Sequence, residues 1–173
     1  MSVQTENRAG QEVGRESMDP LFDAEAQHQP GMAPVVSSEG REGELVASGT
    51  GKVRGKRIRG TIRVTFYSAE CVFPQVLAGK PVDPGLHVCK ENPGGFIETD
   101  DGALIEIDGK GFGMRGFDPR EPQRWRLMMG IRFATTDERY RWLNGTLGLW
   151  EGIFDEKDGR AFYRVYVPRS VLR

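Results

Sequence analysis

The sequence predicts an all-β fold, a small antiparallel β-barrel with one short helix behind a disordered N-terminal tail. Short segments of alternating apolar and polar residues recur along the chain, and clusters of turn-forming residues separate them. Only one short segment carries helix-capping residues, so strands dominate the expected architecture. With 173 residues and 38% hydrophobic side chains, we expect a disordered acidic tail over residues 1–18 and a single barrel domain over residues 19–173.

The N-terminal tail differs from the rest of the chain in composition and charge. Residues 1–18 are polar and lack a strand or helix period, so they cannot bury enough apolar area to offset their ordering entropy. Residues 1–43 carry eight acidic and three basic side chains, whereas residues 44–173 carry seventeen acidic and twenty-one basic ones. This small basic excess is far from the concentrated positive stripe of a nucleic-acid-binding protein, so we expect no nucleic-acid partner.

The chain lacks the sequence features of a secreted or membrane protein. No apolar run reaches the roughly 18 residues of a membrane span, and the N-terminus lacks the apolar stretch of a signal peptide. We therefore expect a cytoplasmic protein without a membrane partner. In that compartment Cys71 and Cys89 are predicted to be two reduced thiols. Because only His28 and His87 could join them, a zinc site would need carboxylates, and we expect no metal and no cofactor.

The first half of the chain alternates between strands and polar segments. Residues 20–26 are predicted to form a first strand, and residues 29–43, rich in Pro, Gly, Ser and Glu, a loop. The clearest alternation runs over residues 57–67, which predicts a half-buried strand with these residues on one face: Ile58, Gly60, Ile62, Val64 and Phe66. Residues 69–85 contain three prolines and two glycines, which favours an excursion or a lid-like loop.

A hairpin is predicted around Asp100-Asp101-Gly102, because these residues tolerate the positive backbone angles of a tight turn. Residues 96–99 and 103–107 would be its two strands. If Thr99 faces Ala103, the isoleucines share one face of the hairpin, and the other face carries Glu98, Leu104 and Glu106.

The second half of the chain predicts three more strands and the single helix. Residues 109–124 are punctuated by glycine and proline and are predicted to form a loop, and residues 125–133 alternate as an amphipathic strand. Thr135-Thr136-Asp137-Glu138 has the spacing of a capping box, and Gly145 stands where a left-handed cap would end a helix of about two turns. Residues 146–154 and 160–168 are predicted to form a final hairpin.

Several motifs resemble the domain-of-unknown-function family numbered three-two-three-seven, an uncharacterised protein family. They are Arg57-Ile58-Arg59-Gly60-Thr61, Glu98-Thr99-Asp100-Asp101-Gly102-Ala103-Leu104-Ile105, and Tyr140-Arg141-Trp142-Leu143-Asn144 with Tyr163 to Tyr166. The resemblance runs from about Pro20 to Val167 and implies a small antiparallel β-barrel of the calycin or lipocalin type. The chain departs from the family in its N-terminal tail and in the long Ser68 to Pro93 segment, which would remodel a pocket rim. The family brings no established reaction, so chemistry must be argued from residues.

Four residues are candidates for catalysis. Glu98 and Glu106 could act as a general acid and base if their face lines the barrel, because paired carboxyls in a low-dielectric pocket have pKa values pushed apart. The alternative is that the isoleucine face points inward and both glutamates are solvated. His87 could be a general base near neutral pH, or an ordinary surface or core histidine. Arg132 could stabilise an anion.

Four further residues are candidates for ligand binding. Arg63 and Arg126 could hold a carboxylate or enolate through charge-assisted bonds, although rows of arginines are more often a solvated edge. Trp142 and Tyr163 supply aromatic area with polar tips, which suits a pocket for a planar or apolar ligand and suits a core equally well.

These candidates lead to a functional hypothesis with two alternatives. We expect a cofactor-independent small-molecule enzyme of the isomerase, cyclase or hydrolase type, acting in the barrel pocket, in secondary or aromatic metabolism. The first alternative is a non-catalytic barrel that binds an apolar or aromatic metabolite. The second is a structural or assembly protein, in which the arginine face or an edge strand forms a homodimer.

Overall fold

The computed structural model describes residues 17–32, 45–70, 76–77, 80–81, 87–116 and 118–172. Two 3-10 helices, Glu138–Leu143 and Arg169–Leu172, accompany the strands. The strands are β1 (Met18–Met32), β2 (Leu45–Arg54), β3 (Arg59–Glu70), β4 (Val76–Leu77), β5 (Lys80–Pro81), β6 (His87–Glu91), β7 (Gly94–Thr99), β8 (Leu104–Arg115), β9 (Arg124–Ala134), β10 (Leu147–Asp155) and β11 (Arg160–Pro168).

The strands close into an antiparallel barrel of eight strand positions. Each position pairs with its neighbour in the chain, and the ring closes where β1 pairs with β11. β6 and β7 share one position, because both lie between β3 and β8 and are separated only by Asn92 and Pro93. The small β4–β5 hairpin pairs outside this ring. The all-β antiparallel barrel predicted from the sequence is therefore confirmed.

Most of the predicted strands are present, some with different bounds. The strands predicted at 20–26, 57–67, 125–133, 146–154 and 160–168 correspond to β1, β3, β9, β10 and β11. In the predicted central hairpin, Ile97 faces Ile105, and the Thr99 amide donates to the Ala103 carbonyl at 2.9 Å. Gly102 has a φ of 86°, as the turn requires.

Two predicted loops were wrong, and the predicted short helix is present as a 3-10 helix with a different N-cap. β1 continues to Met32 through residues predicted as a loop, and β8 continues to Arg115 through the glycine-rich part of the predicted 109–124 loop. The predicted two-turn helix is the 3-10 helix Glu138–Leu143, and its N-cap is Asp137, whose side chain accepts from the Arg139 amide. Residues 1–16 of the predicted tail 1–18 lie outside the described residues, as does Cys71, and Met18 at the end of that tail already begins β1.

One half of the barrel is filled by a close-packed apolar core. The inward side chains of the period-two strands are fully buried here, which includes both hairpin isoleucines predicted to share a face. The 3-10 helix covers this end with Leu143 and Tyr140. The largest fully buried aliphatic side chains are Ile58, Ile62, Ile97, Ile105, Ile107, Ile131, Leu143, Val165 and Val167. Among the described residues, no helix is long and apolar enough to span a membrane.

Candidate functional site

The other half of the barrel encloses a cavity of about 470 Å³ at the end where the β10–β11 turn lies. This volume is within the usual range for small-molecule sites, which is about 300 to 1,000 Å³. Seven strands and that turn contribute to the wall, whose residues are His28, Val46, Ala47, Phe66, Ser68, Cys89, Glu91, Trp125, Leu127, Phe154, Glu156, Lys157, Asp158, Gly159 and Tyr163. The wall is largely apolar and holds a few buried polar groups.

Glu91 is the buried carboxyl group of this cavity. Its side chain is on β6 and only 5% exposed, and the Ser68 hydroxyl donates to its Oε2 at 2.6 Å. Burial raises the pKa of Glu91 to about 7, although the Ser68 hydrogen bond acts in the opposite direction. A Cβ atom at Gly113 would lie 2.8 Å from Glu91 Oε1, so the glycine on the neighbouring strand leaves the space that this carboxyl occupies.

His28 and Tyr163 form a second buried polar pair. Their Nε2 and Oη atoms are 2.6 Å apart, and their residues are 3% and 4% exposed. Burial lowers the pKa of His28 to about 4, while a backbone interaction with Ala47 acts in the opposite direction, so the imidazole is neutral at pH 7. Burial, and after it the charge of Glu91, holds the pKa of Tyr163 well above its usual range. The Glu91 carboxyl is therefore close enough to Tyr163 for an electrostatic interaction.

Aromatic rings surround the His28–Tyr163 pair. Phe66 stacks on Tyr163 with 5.9 Å between ring centroids, and Trp150 meets Tyr163 edge-on at 5.2 Å. Phe66 and Phe154 also meet the His28 ring edge-on, at 5.4 and 5.7 Å. Such contacts fix ring orientations, so the two polar tips are held in a rigid apolar wall.

An ion-pair network stabilises the rim of the cavity. The Trp125 indole donates to Glu156 Oε1 at 2.6 Å, and Arg115 donates to Glu156 Oε2 at 2.7 Å. The Arg115 guanidinium also lies 4.9 Å from the centroid of the Trp125 ring. These contacts connect β8 and β9 to the β10–β11 turn and hold Trp125 against the cavity.

The structure places three of the four predicted catalytic residues outside this cavity. Glu98 and Glu106 share a face as predicted, and that face is the solvent-exposed outside of the barrel. Arg132 is also outside, where it pairs with Asp108. His87 begins β6, and its side chain lies outside the described residues. Within the part of the chain that the structure describes, no three His, Cys, Asp or Glu residues could hold a metal ion together.

The predicted ligand-binding residues lie at different places on the barrel. Tyr163 lies in the cavity. Arg63 and Glu106 border an outer depression of about 720 Å³, and Arg126 borders another of about 710 Å³. Trp142 is half-buried, with the Arg57 guanidinium 5.0 Å from its ring centroid. Both outer depressions are lined mainly by exposed side chains.

Sequence reasoning missed Glu91, Ser68 and His28 as site residues. The strand alternation of β1 could have identified His28. Every second residue from Phe22 through Ala24 and Ala26 faces the interior, and the next residue in this series is His28. The inward positions of β7 likewise continue backwards by twos through Pro93 to Glu91. Both residues lay outside the predicted strands, so their phase was not followed.

Comparison with known proteins confirms the family resemblance and the fold. The family described as protein of unknown function, DUF3237, matches residues 83–167. No curated protein matches the sequence. A beta-barrel like protein from Acinetobacter baumannii AYE is similar with a TM-score of 0.64 and 18% identity, over 87% of this chain and 94% of that one.

Two further solved structures are similar over most of their length. A protein with unknown function from Clostridium acetobutylicum has a TM-score of 0.62 and 16% identity, over 90% of this chain and 99% of that chain. A conserved protein of unknown function from Rhodopseudomonas palustris has a TM-score of 0.59 and 18% identity, over 88% and 96%. At these identities the likeness shows the barrel fold alone.

Proposed function

We propose that this barrel, whose residues 83–167 match DUF3237, is a proton-transfer enzyme for a small and largely apolar molecule, with Glu91 as the group that takes and returns the proton. The observation that carries the proposal is a buried carboxyl in an apolar cavity of about 470 Å³, fixed by a hydroxyl donor and titrating near neutrality. A general base works best when its pKa is near the working pH, because both of its forms are then populated.

The surroundings of Glu91 suit a reaction at a carbon atom next to a carbonyl group. The Glu91 carboxylate would take a proton from that carbon, and the electron pair of the broken C–H bond would move onto the carbonyl oxygen as an enolate. The neutral carboxyl would then return the proton to the same or another atom. Return to another atom gives an isomerisation. Attack by the enolate carbon on an electrophilic carbonyl carbon of the same molecule gives a ring closure, in which the oxygen of the attacked carbonyl takes the proton from the carboxyl. The Ser68 hydrogen bond to Oε2 leaves Oε1 as the oxygen that handles the proton.

The experiment measures proton exchange, because exchange reports proton abstraction whatever the natural product is. The full chain is incubated with 1-indanone in buffered D₂O, and proton NMR follows the loss of the signal from the carbon next to the carbonyl. We expect the protein to accelerate exchange, with a rate that rises with pH around a midpoint near 7. Glu91→Gln should lower the protein-dependent rate by about 100-fold or more, as expected for loss of a general base.

Glu98→Gln and Glu106→Gln are matched controls, since they make the same chemical change on the outside of the barrel. Both should leave the exchange rate unchanged. Loss of exchange in these variants, with Glu91→Gln active, would favour the outer face predicted from the sequence and would refute the role of Glu91.

A barrel that binds its ligand without chemistry is the second candidate, and the aromatic wall around Tyr163 favours it. In that case 1-indanone binds in the cavity, and its exchange rate is the same with and without the protein. Binding measured by tryptophan fluorescence therefore separates the two functions.

A further inference from the structure

We infer that Tyr163, held by His28, binds an oxygen atom of the ligand in this cavity, and that the ligand is a compact uncharged ring compound with a carbonyl or hydroxyl group. The inference rests on the proposed function, because it names the substrate class of the same cavity. It gives the part of the cavity wall formed by His28 and Tyr163, across from the Glu91 carboxyl, a role in ligand recognition.

Tyr163 has hydrogen-bonding capacity that the described residues do not use. A phenol offers one donor and two acceptor positions, and the bond to His28 Nε2 is its single hydrogen bond within the described ranges. If the imidazole donates, the phenol proton is left to donate to a ligand oxygen. If the phenol donates, its oxygen is left to accept from a ligand hydroxyl. In either arrangement a polar atom in the cavity wall can bind a ligand oxygen.

A further buried polar atom lies next to this pair. Trp150 Nε1 is buried and has no hydrogen-bond partner in the part of the chain that the structure describes, whereas the second ring nitrogen of His28 has a backbone interaction with Ala47. Buried polar atoms in native proteins are nearly always partnered, so the indole N–H is a donor still open to a further group. Trp150 packs edge-on against Tyr163, which places its indole beside the same pair.

Glycines on the neighbouring strands provide the space for this pair. A Cβ atom at Gly49, which faces His28 in the β1–β2 register, would lie 2.5 Å from atoms of the His28 ring. A Cβ atom at Gly152, which faces Tyr163 in the β10–β11 register, would lie 2.5 Å from Tyr163 Cδ1. Any other residue at these two positions would displace a ring. The barrel therefore has room for the two rings because Gly49 and Gly152 have no side chains.

The surroundings of the pair select an uncharged ring compound. The rings of Phe66 and Phe154 supply flat apolar surface beside His28, and the cavity has room for a small bicyclic molecule. An anionic ligand would face the Glu91 carboxyl, and His28 brings no compensating positive charge because burial lowers its pKa to about 4. Lys157, Glu156 and Asp158 are charged groups of the exposed rim.

The test compares probes with one carbon skeleton and different polar groups. Dissociation constants for 1-indanone, 1-indanol and indane are measured with the full chain by tryptophan fluorescence, which Trp125 and Trp150 report from the cavity region. We expect at least one of the oxygenated probes to bind about tenfold more tightly than indane, the upper range for one neutral hydrogen bond. Equal affinity for all three probes, or binding of none of them up to their solubility, would overturn the inference without any variant.

Tyr163→Phe removes only the hydroxyl and keeps the ring packing, so it should reduce this preference to less than about threefold while indane affinity stays the same. Tyr140→Phe is the matched control, because Tyr140 also loses a hydroxyl hydrogen bond, to Asp101, at the opposite end of the barrel. It should keep the preference. A Tyr163→Phe variant with the wild-type preference would overturn the role of Tyr163, and tighter binding of 1-aminoindane than of 1-indanone would overturn the uncharged ligand.

The failures of the two proposals are distinguishable. If Tyr163→Phe removes the preference but the protein does not accelerate exchange of 1-indanone, oxygen recognition stands and the enzyme proposal fails. If exchange depends on Glu91 while the preference is independent of Tyr163, the enzyme proposal stands and oxygen recognition fails.

Discussion

Glu91 should make the folded protein less stable as the pH rises, and Glu91→Gln should remove that loss. The buried carboxyl has a pKa of about 7, raised from an ordinary value of 4.5. Below pH 4.5 it is neutral in both the folded and the unfolded chain, so it contributes no difference. Between these values the unfolded chain releases the proton while the folded protein keeps it, so stability falls as the pH rises. Above about pH 7 the full loss is present.

The size of this effect follows from the shift. A change of pKa from 4.5 to about 7 corresponds to about 3 kcal/mol of unfolding free energy. Most of it, about 2.5 kcal/mol, falls between pH 5 and pH 8. His28 has the opposite pH dependence, because its lowered pKa removes stability as the pH falls from 6.5 towards 4. That contribution is the same in wild type and in Glu91→Gln, and it cancels when the two are compared.

The measurement is urea denaturation of wild type and Glu91→Gln at pH 5 and pH 8. The stability of the variant relative to wild type should rise by about 2 to 3 kcal/mol between the two pH values. The control is Glu98→Gln, because the same change at an exposed position should shift stability equally at both pH values. If wild type and Glu91→Gln follow the same pH dependence, the carboxyl is not held in a low-dielectric site and the proton-transfer proposal loses its base.

Two further predictions concern glycines of the barrel. Gly49→Ala should lower the unfolding free energy by about 1 to 3 kcal/mol, because its Cβ would lie 2.5 Å from the His28 ring. The control is Gly130→Ala, whose Cβ would have no atom closer than 3.8 Å and which should be neutral or slightly stabilising. Urea denaturation measures both variants. Equal effects of the two substitutions would contradict the close packing of Gly49 against the His28 ring. Gly113→Ala should slow 1-indanone exchange, because its Cβ would lie 2.8 Å from Glu91 Oε1 and 3.0 Å from Leu127 Cδ2 and would displace the buried carboxyl. Unchanged exchange would mean that the carboxyl position is not critical.

The fold was predictable wherever inward positions of a strand hold large apolar residues. The alternation over β3 identified a strand because its inward residues are isoleucine, valine and phenylalanine. β2 gave no comparable signal, since its inward positions include Gly49 and its sequence reads as small and polar. The second half of β8 was predicted as a loop for the same reason, because Gly109 and Gly113 stand at its buried positions. Alternation of hydrophobicity does not identify a strand whose inward side chains are hydrogen atoms.

The site was only partly predictable, because the carboxylates in the clear hairpin face solvent and the buried carboxylate lies outside every predicted strand. Glu98 and Glu106 are prominent as a pair in a clear hairpin, yet they alternate with Ile97 and Ile105, which are fully buried. Successive side chains of a strand point to opposite faces, so the glutamates must face solvent when the isoleucines face the barrel interior. Glu91 has the inward phase, but it lay in the Ser68 to Pro93 segment, for which the sequence predicted no strand.

The sequence prediction missed these strands and these site residues for the same physical reason. In a barrel of fixed diameter, a large inward side chain on one strand requires a small one beside it. His28 lies against Gly49, Tyr163 against Gly152, and Glu91 against Gly113. Each polar group of the cavity therefore weakens the hydrophobic pattern of the strand next to it. A run of glycines with strand spacing beside a predicted barrel strand is then a signal in its own right, because it indicates where large rings or buried polar groups enter the interior.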